Sequence, residues 1–474
     1  MTEEKQDDKK PSPSRREFLK TGTIAAASFM IVPRFVLGGK GFIAPSDRLL
    51  IASVGVGGKG GDDINHFDKT GKAEIAFLCD VDDARAANSV KKFPKAKYYK
   101  DWREMFEKEA KNFDAVSVST PDHTHAIVAY HAMQLGKHVY VQKPLTHDIA
   151  EARLLTEAAK KYKVVTQMGN QGASNDGTRQ LAEWYDADII GDVHTVYCWT
   201  NRPVWPQGIQ WPTAKAEIPT TLDWDLWLGT APKKDFVENL VPFNWRGWWD
   251  YGTGALGDMG CHLVEAPFRV LGLQYAKDVQ ASVGTVYVGE FKQGRFPESC
   301  PPSSHITLTF PKTDKTKGDI TLHWMDGGIQ PERPEELGAN ERFGDDGNGT
   351  LFIGTKGKMM ASTYSSNPLL LPTSRTTEVK VPQTIARVPG QSDGHYGQWI
   401  EGCLAGYGKT KLSSSFEVAG PLTEALLMAN LAVRGHDLKG GHIKMLWDND
   451  KMQITNFDAV NQFVKRQYRE GWTI

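Results

Sequence analysis

Cysteine is scarce in this chain: five among 474 residues, at 79, 198, 261, 300 and 403, with no CxxC pair. An odd count cannot be fully bridged within one chain, and the spacing suits neither a disulfide framework nor a zinc site, so no metal ion is expected. Cys79, Cys198 and Cys403 lie in apolar runs, the ordinary surroundings of a buried thiol. An excess of one charge is lacking too. Lys and Arg number 56 against 57 Asp and Glu, a formal net charge of −1. With no basic stripe interleaved with aromatics, nucleic acid is excluded as an expected partner. The 46 glycines and 25 prolines show no collagen-like or linker-like period. The N-terminal apolar run, Thr21 to Val32, is 12 residues, short of the roughly 20 that a membrane helix needs. What is present is chain enough for two or three packed units at roughly 100 to 200 residues each.

Residues 1 to 13 are polar and charged, and Ser14-Arg15-Arg16-Glu17-Phe18-Leu19-Lys20 precedes the apolar run. This arrangement resembles a twin-arginine export signal. No cysteine follows the run, so no lipid anchor, and no stable membrane anchor, is expected. The resemblance implies a protein exported folded to the periplasm, with residues 1–44 as signal and connecting arm.

From Arg48 the pattern changes. Leu-Leu-Ile-Ala-Ser-Val reads as a short buried strand and ends in Gly55-Val56-Gly57-Gly58-Lys59-Gly60. Gly55, Gly57 and Gly60 satisfy GxGxxG: a tight turn, close approach of backbone to a pyrophosphate, and close packing of helix on strand. A second strand, Ala73 to Cys79, ends at Asp80, 20 residues beyond Gly60. An acid there accepts ribose hydroxyls and repels a 2′-phosphate, so NAD is expected over NADP. Helical stretches at 101–111, 126–135 and 149–162 alternate with strands at 115–119, 138–141 and 164–166. The alternation predicts a Rossmann-type doubly wound parallel sheet over residues 45–170. Ligands bind beyond the carboxyl ends of such strands, which makes Gly55, Asp80, Thr120-Pro121 and Gln142-Lys143-Pro144 one rim.

Lys143-Pro144-Leu145, following Thr120-Pro121-Asp122-His123-Thr124-His125, and then Gly257-Asp258-Met259-Gly260-Cys261-His262, together resemble the glucose–fructose oxidoreductase / inositol dehydrogenase (Gfo/Idh/MocA) family. Gln142 stands where that family has glutamate, and Asp122 where it has asparagine. The resemblance implies NAD held by Gly55, Gly57, Gly58, Lys59, Gly60, Asp80, Thr120, Pro121, His125, Gln142 and Lys143, with Lys143, Asp258 and His262 as the catalytic set. Asp258 and His262 are four apart, so on a helix they share one face. His262 can take a proton from a substrate hydroxyl, with Asp258 orienting the imidazole or the sugar. Lys143 can stabilise the developing negative charge. With Gln142 beside it in place of an acid, the protonation of Lys143 stays open.

Beyond Gln171 the composition shifts, and eight of the fourteen tryptophans fall between 199 and 249. So much aromatic surface is covered, as core or subunit interface, or used, as a platform for sugar rings. Strand-like runs at 279–289, 304–310, 319–325 and 349–354, with a long loop over 326–349, predict an α+β domain with a large, mostly antiparallel sheet over 171–474. Asn170, Arg202, Trp205 and His395 are candidate substrate contacts. In the resembled family this sheet lines the substrate cleft and builds homo-oligomers, so a dimer or tetramer is expected.

An exported nicotinamide enzyme meets no free NAD pool, so its cofactor must arrive bound and be recycled by its own substrates. The expectation is a periplasmic oxidoreductase acting on a hydroxyl, at C3, of a sugar or glycoside, and the balanced charge agrees with a neutral one. Two alternatives stand beside it. One is a redox glycoside hydrolase or lyase that oxidises, eliminates and re-reduces; the Gly-His-Gly-Gly segment typical of that branch is absent from the sequence. The other is a non-catalytic sugar or NAD binder, which would have no need of Asp80, Lys143, Asp258 and His262 together.

Overall fold

The computed structural model describes residues 47–439 and 443–474. The twin-arginine-like segment and the apolar run behind it lie outside the described residues. Arg48–Ile474 form one compact unit.

Near-continuous apolar strands are what a sheet covered on both faces requires. Six strands, β1 (Leu49–Val54), β2 (Ala73–Cys79), β3 (Lys97–Tyr99), β4 (Ala115–Val118), β5 (His138–Gln142) and β6 (Thr166–Gly169), all largely buried except the short edge strand β3, pair in parallel in the order β3-β2-β1-β4-β5-β6. This is the strand order of a dinucleotide-binding sheet. The connecting helices are α1 (Lys59–Lys69), α2 (Asp83–Lys92), α3 (Trp102–Glu109), α4 (Asp122–Gln134) and α5 (Ile149–Tyr162). Their starts follow from capping acids. The Asp82 and Asp101 side chains accept the amides of Ala84 and Arg103, and Asp148 and Glu151 close a capping box.

Two boundaries differ from those read in the sequence. Helix α4 begins at Asp122 instead of residue 126, because Pro121 takes the N-cap position and Asp122 suits the first turn. His125 is thereby drawn into the helix. Strand β6 lies later than the expected 164–166, because Lys163 ends α5 in a left-handed conformation (φ 52°) and residues 164–165 make the connection.

The second sheet has nine strands: β7 (Val193–Trp199), β8 (Asp278–Val283), β9 (Ser304–Phe310), β10 (Ile320–Met325), β11 (Gly349–Gly354), β12 (Lys358–Ala361), β13 (Leu369–Leu371), β14 (Met445–Asp448) and β15 (Gln453–Ile454). Their order is β13-β12-β11-β7-β10-β9-β8-β14-β15, with β7 and β10 parallel and the other neighbours antiparallel. The run expected at 279–289 is interrupted. β8 stops at Val283, and Val286–Gly289 pairs with Lys292–Gly294 in a separate hairpin. Burial alternates along β9, so one face of the sheet is buried and the other half-exposed.

Helices α6 (Asp176–Asp186), α7 (Gly254–Leu263), α8 (Glu265–Leu271), α9 (Gln391–Ala405) and α10 (Phe416–Lys439) complete the unit. By length and composition α10 could cross a membrane, but 89% of its most apolar window is buried, against α5, α7 and β8 among others. It is a core helix. Helix α9, late in the chain, places Tyr396, Trp399, Ile400 and Cys403 in one apolar cluster with Ile51, Ile64, Phe67 and Tyr140. The first domain's core is thus completed by a segment more than two hundred residues beyond it. Seven of the eight tryptophans between 199 and 249 are buried, and Trp211 is half-buried.

Candidate active site

The carboxyl ends of the parallel strands open into a cavity of about 740 Å³, closed on its far side by α7 and by loops of the second domain. β1 enters it through the glycine turn. Gly55 has φ +78°, and a Cβ there would stand 2.7 Å from the Ser119 carbonyl; a Cβ on Gly60 would stand 1.8 Å from the Gly55 oxygen. The turn therefore leaves no room for side chains at either position, as a backbone that must approach a pyrophosphate requires. Helix α1 opens directly behind it and presents its N-terminal end to an anion. Asp80, at the end of β2, accepts the amides of Val56 (2.8 Å) and Gly57 (3.1 Å) on one carboxylate oxygen and that of Asp82 (3.0 Å) on the other. Burial raises its pKa. A carboxylate has more lone pairs than these bonds use, and Asp80 lines the cavity, so ribose hydroxyls have an acceptor. Glycine cradle, helix end and acid together fit NAD.

Behind the turn lies a buried carboxylate with four donors. Asp63 accepts Gln142 Nε2 (2.8 and 3.0 Å), Ser119 Oγ (2.8 Å) and the Tyr396 hydroxyl (2.9 Å), and pairs with Lys59 Nζ at 3.1 Å. The Tyr396 hydroxyl also accepts Lys59 Nζ at 2.9 Å. The amide at 142 is explained here, because a glutamate would face the Asp63 carboxylate with no proton between them. Burial raises the Asp63 pKa, against the opposing pull of Lys59.

Lys143 leaves β5 and donates through Nζ to two oxygens of Asp258, carboxylate Oδ1 at 2.7 Å and the main-chain carbonyl at 2.8 Å. Arg246 Nε reaches the same carboxylate oxygen at 3.4 Å. Burial alone would raise the Asp258 pKa; the Lys143 and Arg246 charges outweigh it and hold it at about 2. One turn later on α7, the His262 ring lines the cavity with its Nδ1 buried and unpartnered among the described residues. Burial first, and the Lys143 charge second, push its pKa down to about 3, so the imidazole is neutral. The Tyr364 ring meets it edge-on, centroids 4.7 Å apart. Among the described residues no hydrogen bond joins Asp258 to His262. Asp258 orients Lys143 and Arg246 instead of the imidazole. Asp122 also lines the cavity, accepts Thr253 Oγ1 at 2.8 Å, and has its pKa raised by burial.

Of the residues singled out from sequence, Gly55, Gly57, Gly58, Lys59, Asp80, Thr120, Pro121, Gln142, Lys143, Arg202, Asp258 and His262 line this cavity. Five others do not. Gly60 packs behind the turn. His125, inside α4, spans from the Thr120 carbonyl to the Pro144 carbonyl, 2.8 Å to each, and so braces two strand-end loops without facing a ligand. Asn170 is fully buried and donates to the Cys261 carbonyl at 3.2 Å, beside His262. Trp205 is buried, with its indole N–H on Gln207 Oε1. His395 is a core histidine between Ser174 Oγ (2.7 Å) and the Met168 carbonyl (2.9 Å), its pKa pulled down by burial to about 4. Conversely, Arg85, Arg246 and Tyr364 line the cavity and Asp63 and Tyr396 support it, none of them marked by a motif. Of the tryptophan-rich stretch, Trp227 and Trp245 reach the wall.

Comparison with known proteins agrees with this layout. Residues 49–170 match an oxidoreductase-family model described as an NAD-binding Rossmann fold, and residues 189–290 match that family's C-terminal alpha/beta domain. A glycosyl hydrolase family 109 protein of Shewanella pealeana is 27% identical over 171 residues, 31% of this chain and 37% of the relative. An inositol 2-dehydrogenase of Salmonella paratyphi B is 29% identical over 141 residues, 29% of this chain and 41% of the relative. The chain thus spans under half the length of these curated relatives. Among solved structures, the WlbA dehydrogenase of Bordetella pertussis, in complex with NADH and UDP-GlcNAcA, superposes with a TM-score of 0.56 at 14% identity, over 85% of this chain and 100% of that one. At that identity the likeness is one of fold.

Proposed function

The chain belongs to the Gfo/Idh/MocA oxidoreductase family by both of its domains, and from that premise we propose that it oxidises a ring hydroxyl, at C3, of a sugar or glycoside with NAD held in the cavity. The carrying observation is that Lys143, Asp258 and His262 come together on the wall of the same cavity that the glycine turn and Asp80 line. The similarity to an inositol dehydrogenase and the fold shared with a nucleotide-sugar dehydrogenase support a polyol or sugar as substrate.

The glycine turn, the start of α1 and Asp80 would hold the dinucleotide. NAD, when bound, supplies a hydride acceptor. The chain's own groups handle the proton. His262 is neutral, hence able to accept it from the hydroxyl. Lys143, aimed by two bonds to Asp258, donates to the same oxygen as negative charge gathers there. Asp258, ionised through the whole neutral range, keeps Lys143 and Arg246 in register. Trp227, Phe243 and Trp245 give the wall apolar surface that excludes water and suits the C–H face of a sugar.

The Arg15-Arg16 segment supports export in the folded state, and with it a cofactor carried in and recycled by paired substrates. Assembly into dimers or tetramers would follow through the half-exposed face of the nine-stranded sheet. A panel of glycosides incubated with purified protein tests the reading. A rise at 340 nm, or NAD recovered from denatured protein together with a keto-sugar product, supports it. Neither signal with any sugar would leave only a binding protein. The similarity to a family 109 glycosyl hydrolase favours one second reading, oxidation followed by elimination and re-reduction; free aglycone without net NADH is its signature.

A further inference from the structure

The cations that line the cavity are not answered alike. Lys59 is paired with Asp62 and Asp63, Lys100 with Asp83, and Lys143 and Arg246 share Asp258. Two others have no acid among the described residues. Arg85 lies over the glycine turn, its Nη2 2.5 Å from where a Gly58 Cβ would be, and so stands at the end of the cavity that the turn lines. Arg202 lines the cavity from the loop that follows β7. Its guanidinium has one hydrogen bond among the described residues, from Nη1 to the neutral Asn201 side chain. The segment that carries it packs on the segment that carries Arg246. The Trp205 ring meets Phe243 edge-on at 5.6 Å, and the Pro206 carbonyl oxygen lies 2.1 Å from the place of a Gly247 Cβ. Arg246 commits Nε to Asp258, and its two terminal nitrogens make no hydrogen bond among the described residues. Two guanidinium groups with unspent donors therefore line the cavity; Asp258 is shared between Arg246 and Lys143, the buried Asp122 carboxyl lies within electrostatic reach of the same two cations, and neither acid pairs with Arg202 among the described residues.

Planar guanidinium forks are suited to carboxylate and phosphate oxygens, and the half-buried Arg202 keeps donors free for one. Resting on the sugar-oxidation reading above, we infer that the substrate is an anionic sugar, carrying a carboxylate or a phosphate that Arg202 binds with help from Arg246, in place of the neutral glycoside that the overall charge balance suggested. The anion sets the ring's orientation relative to His262 and Lys143, so it governs which hydroxyl is presented.

The test compares purified full-length protein on three matched sugars: a glucoside, the corresponding glucuronide and the corresponding glucose 6-phosphate derivative. The expected result is a kcat/KM at least tenfold higher for one of the two anions than for the glucoside, and the favoured arm tells carboxylate from phosphate. In Arg202→Gln that ratio should fall to within about threefold of unity, and Arg202→Lys should keep part of it. Raising the ionic strength should shrink the wild-type ratio, a readout that does not depend on the variants folding. Equal or better turnover of the glucoside, or an unchanged ratio in Arg202→Gln with NAD still bound, would overturn the inference and leave the oxidoreductase reading standing. No oxidation of any of the three, nor of other sugars, would instead overturn the oxidoreductase reading, and the inference with it.

Discussion

Lys143 and Asp258 are joined twice across the cavity, the lysine ammonium donating to the carboxylate at 2.7 Å and to the main-chain carbonyl of the same residue at 2.8 Å. One residue ends a strand of the first sheet and the other lies on a helix 115 positions later in the chain. Their contact makes the catalytic geometry depend on both. Asp258→Asn removes the charge that balances Lys143 and Arg246 while keeping the shape. The expected result is a kcat lowered by roughly 10²-fold, within the range of misplaced acid–base assistance, with NAD content unchanged. Steady-state kinetics with NAD recovered from denatured protein checks it; an unchanged kcat would detach the pair from catalysis.

The neutral state of His262 has a consequence for pH dependence. Its folded pKa of about 3 lies below the ordinary histidine value, so the base form persists as pH falls until about 3 is approached. Activity should therefore show no imidazole limb between pH 5 and 8. His262→Gln should lower kcat/KM by roughly 10²- to 10⁴-fold and leave the shape of the remaining profile alone. A loss of kcat/KM centred near pH 6.5 in the wild-type enzyme would contradict a buried neutral imidazole.

Much of this site was readable from the chain because it follows local rules. The GxGxxG turn, Asp80 at the end of β2, Lys143 at the end of β5 and the four-residue step from Asp258 to His262 each depend on neighbours within one element. The surroundings of His125 were not readable by the same kind of reasoning: with Pro121 as N-cap, α4 starts early and the ring turns to the Thr120 and Pro144 carbonyls. Arg246, Tyr364, Asp63 and Tyr396 were not readable. Arg246 and Tyr364 sit in single 3-10 turns, and Tyr396 meets Asp63 across 333 residues. No periodicity records such a meeting. The Gln142 substitution, taken alone, is a missing charge; only the fold shows Asp63 receiving its amide.

His395, which sequence position suggested for the substrate, carries a stability prediction instead. Its pKa is near the ordinary 6.5 in the unfolded chain and about 4 in the fold. Because the folded value is depressed, its contribution is complete above pH 6.5 and is lost as pH falls toward 4. By pH 5 the loss is about 2 kcal/mol. His395→Gln should be less stable than wild type at pH 8, by about 1 kcal/mol for imperfect hydrogen bonds to Ser174 and Met168. The gap should close or reverse by pH 5. Asp148 and Asp326, held up at about 7 and about 6 by burial, titrate in the opposite sense but equally in both proteins, so they cancel in the difference. Urea unfolding at the two pH values measures it, and a gap independent of pH would refute a neutral buried His395.

Tyr364 tests whether backbone strain is maintained for the site. Tyr364, Ser365 and Asn367 have φ of +61°, +55° and +47°, left-handed values that cost a non-glycine residue about 1 kcal/mol each. The segment is held there by Asp345, whose carboxylate accepts both the amide and the hydroxyl of Thr363 at 2.8 Å, and by Asn175 Nδ2 on the Tyr364 carbonyl at 3.0 Å. The residue, 45% exposed, gives little in burial for that cost, yet its ring packs against His262. Tyr364→Gly relieves the strain and frees the unfolded chain, two effects of similar size and opposite sign, so stability should change by less than about 1 kcal/mol. Turnover should still fall, by about tenfold, as water gains His262 and the substrate loses an aromatic face. Tyr364→Phe, which keeps the ring and gives up only a hydroxyl with no hydrogen bond among the described residues, should retain most of the activity. Thermal melts beside kcat/KM separate the two effects: a glycine variant with full turnover would mean that the strained tyrosine serves the loop and not the reaction.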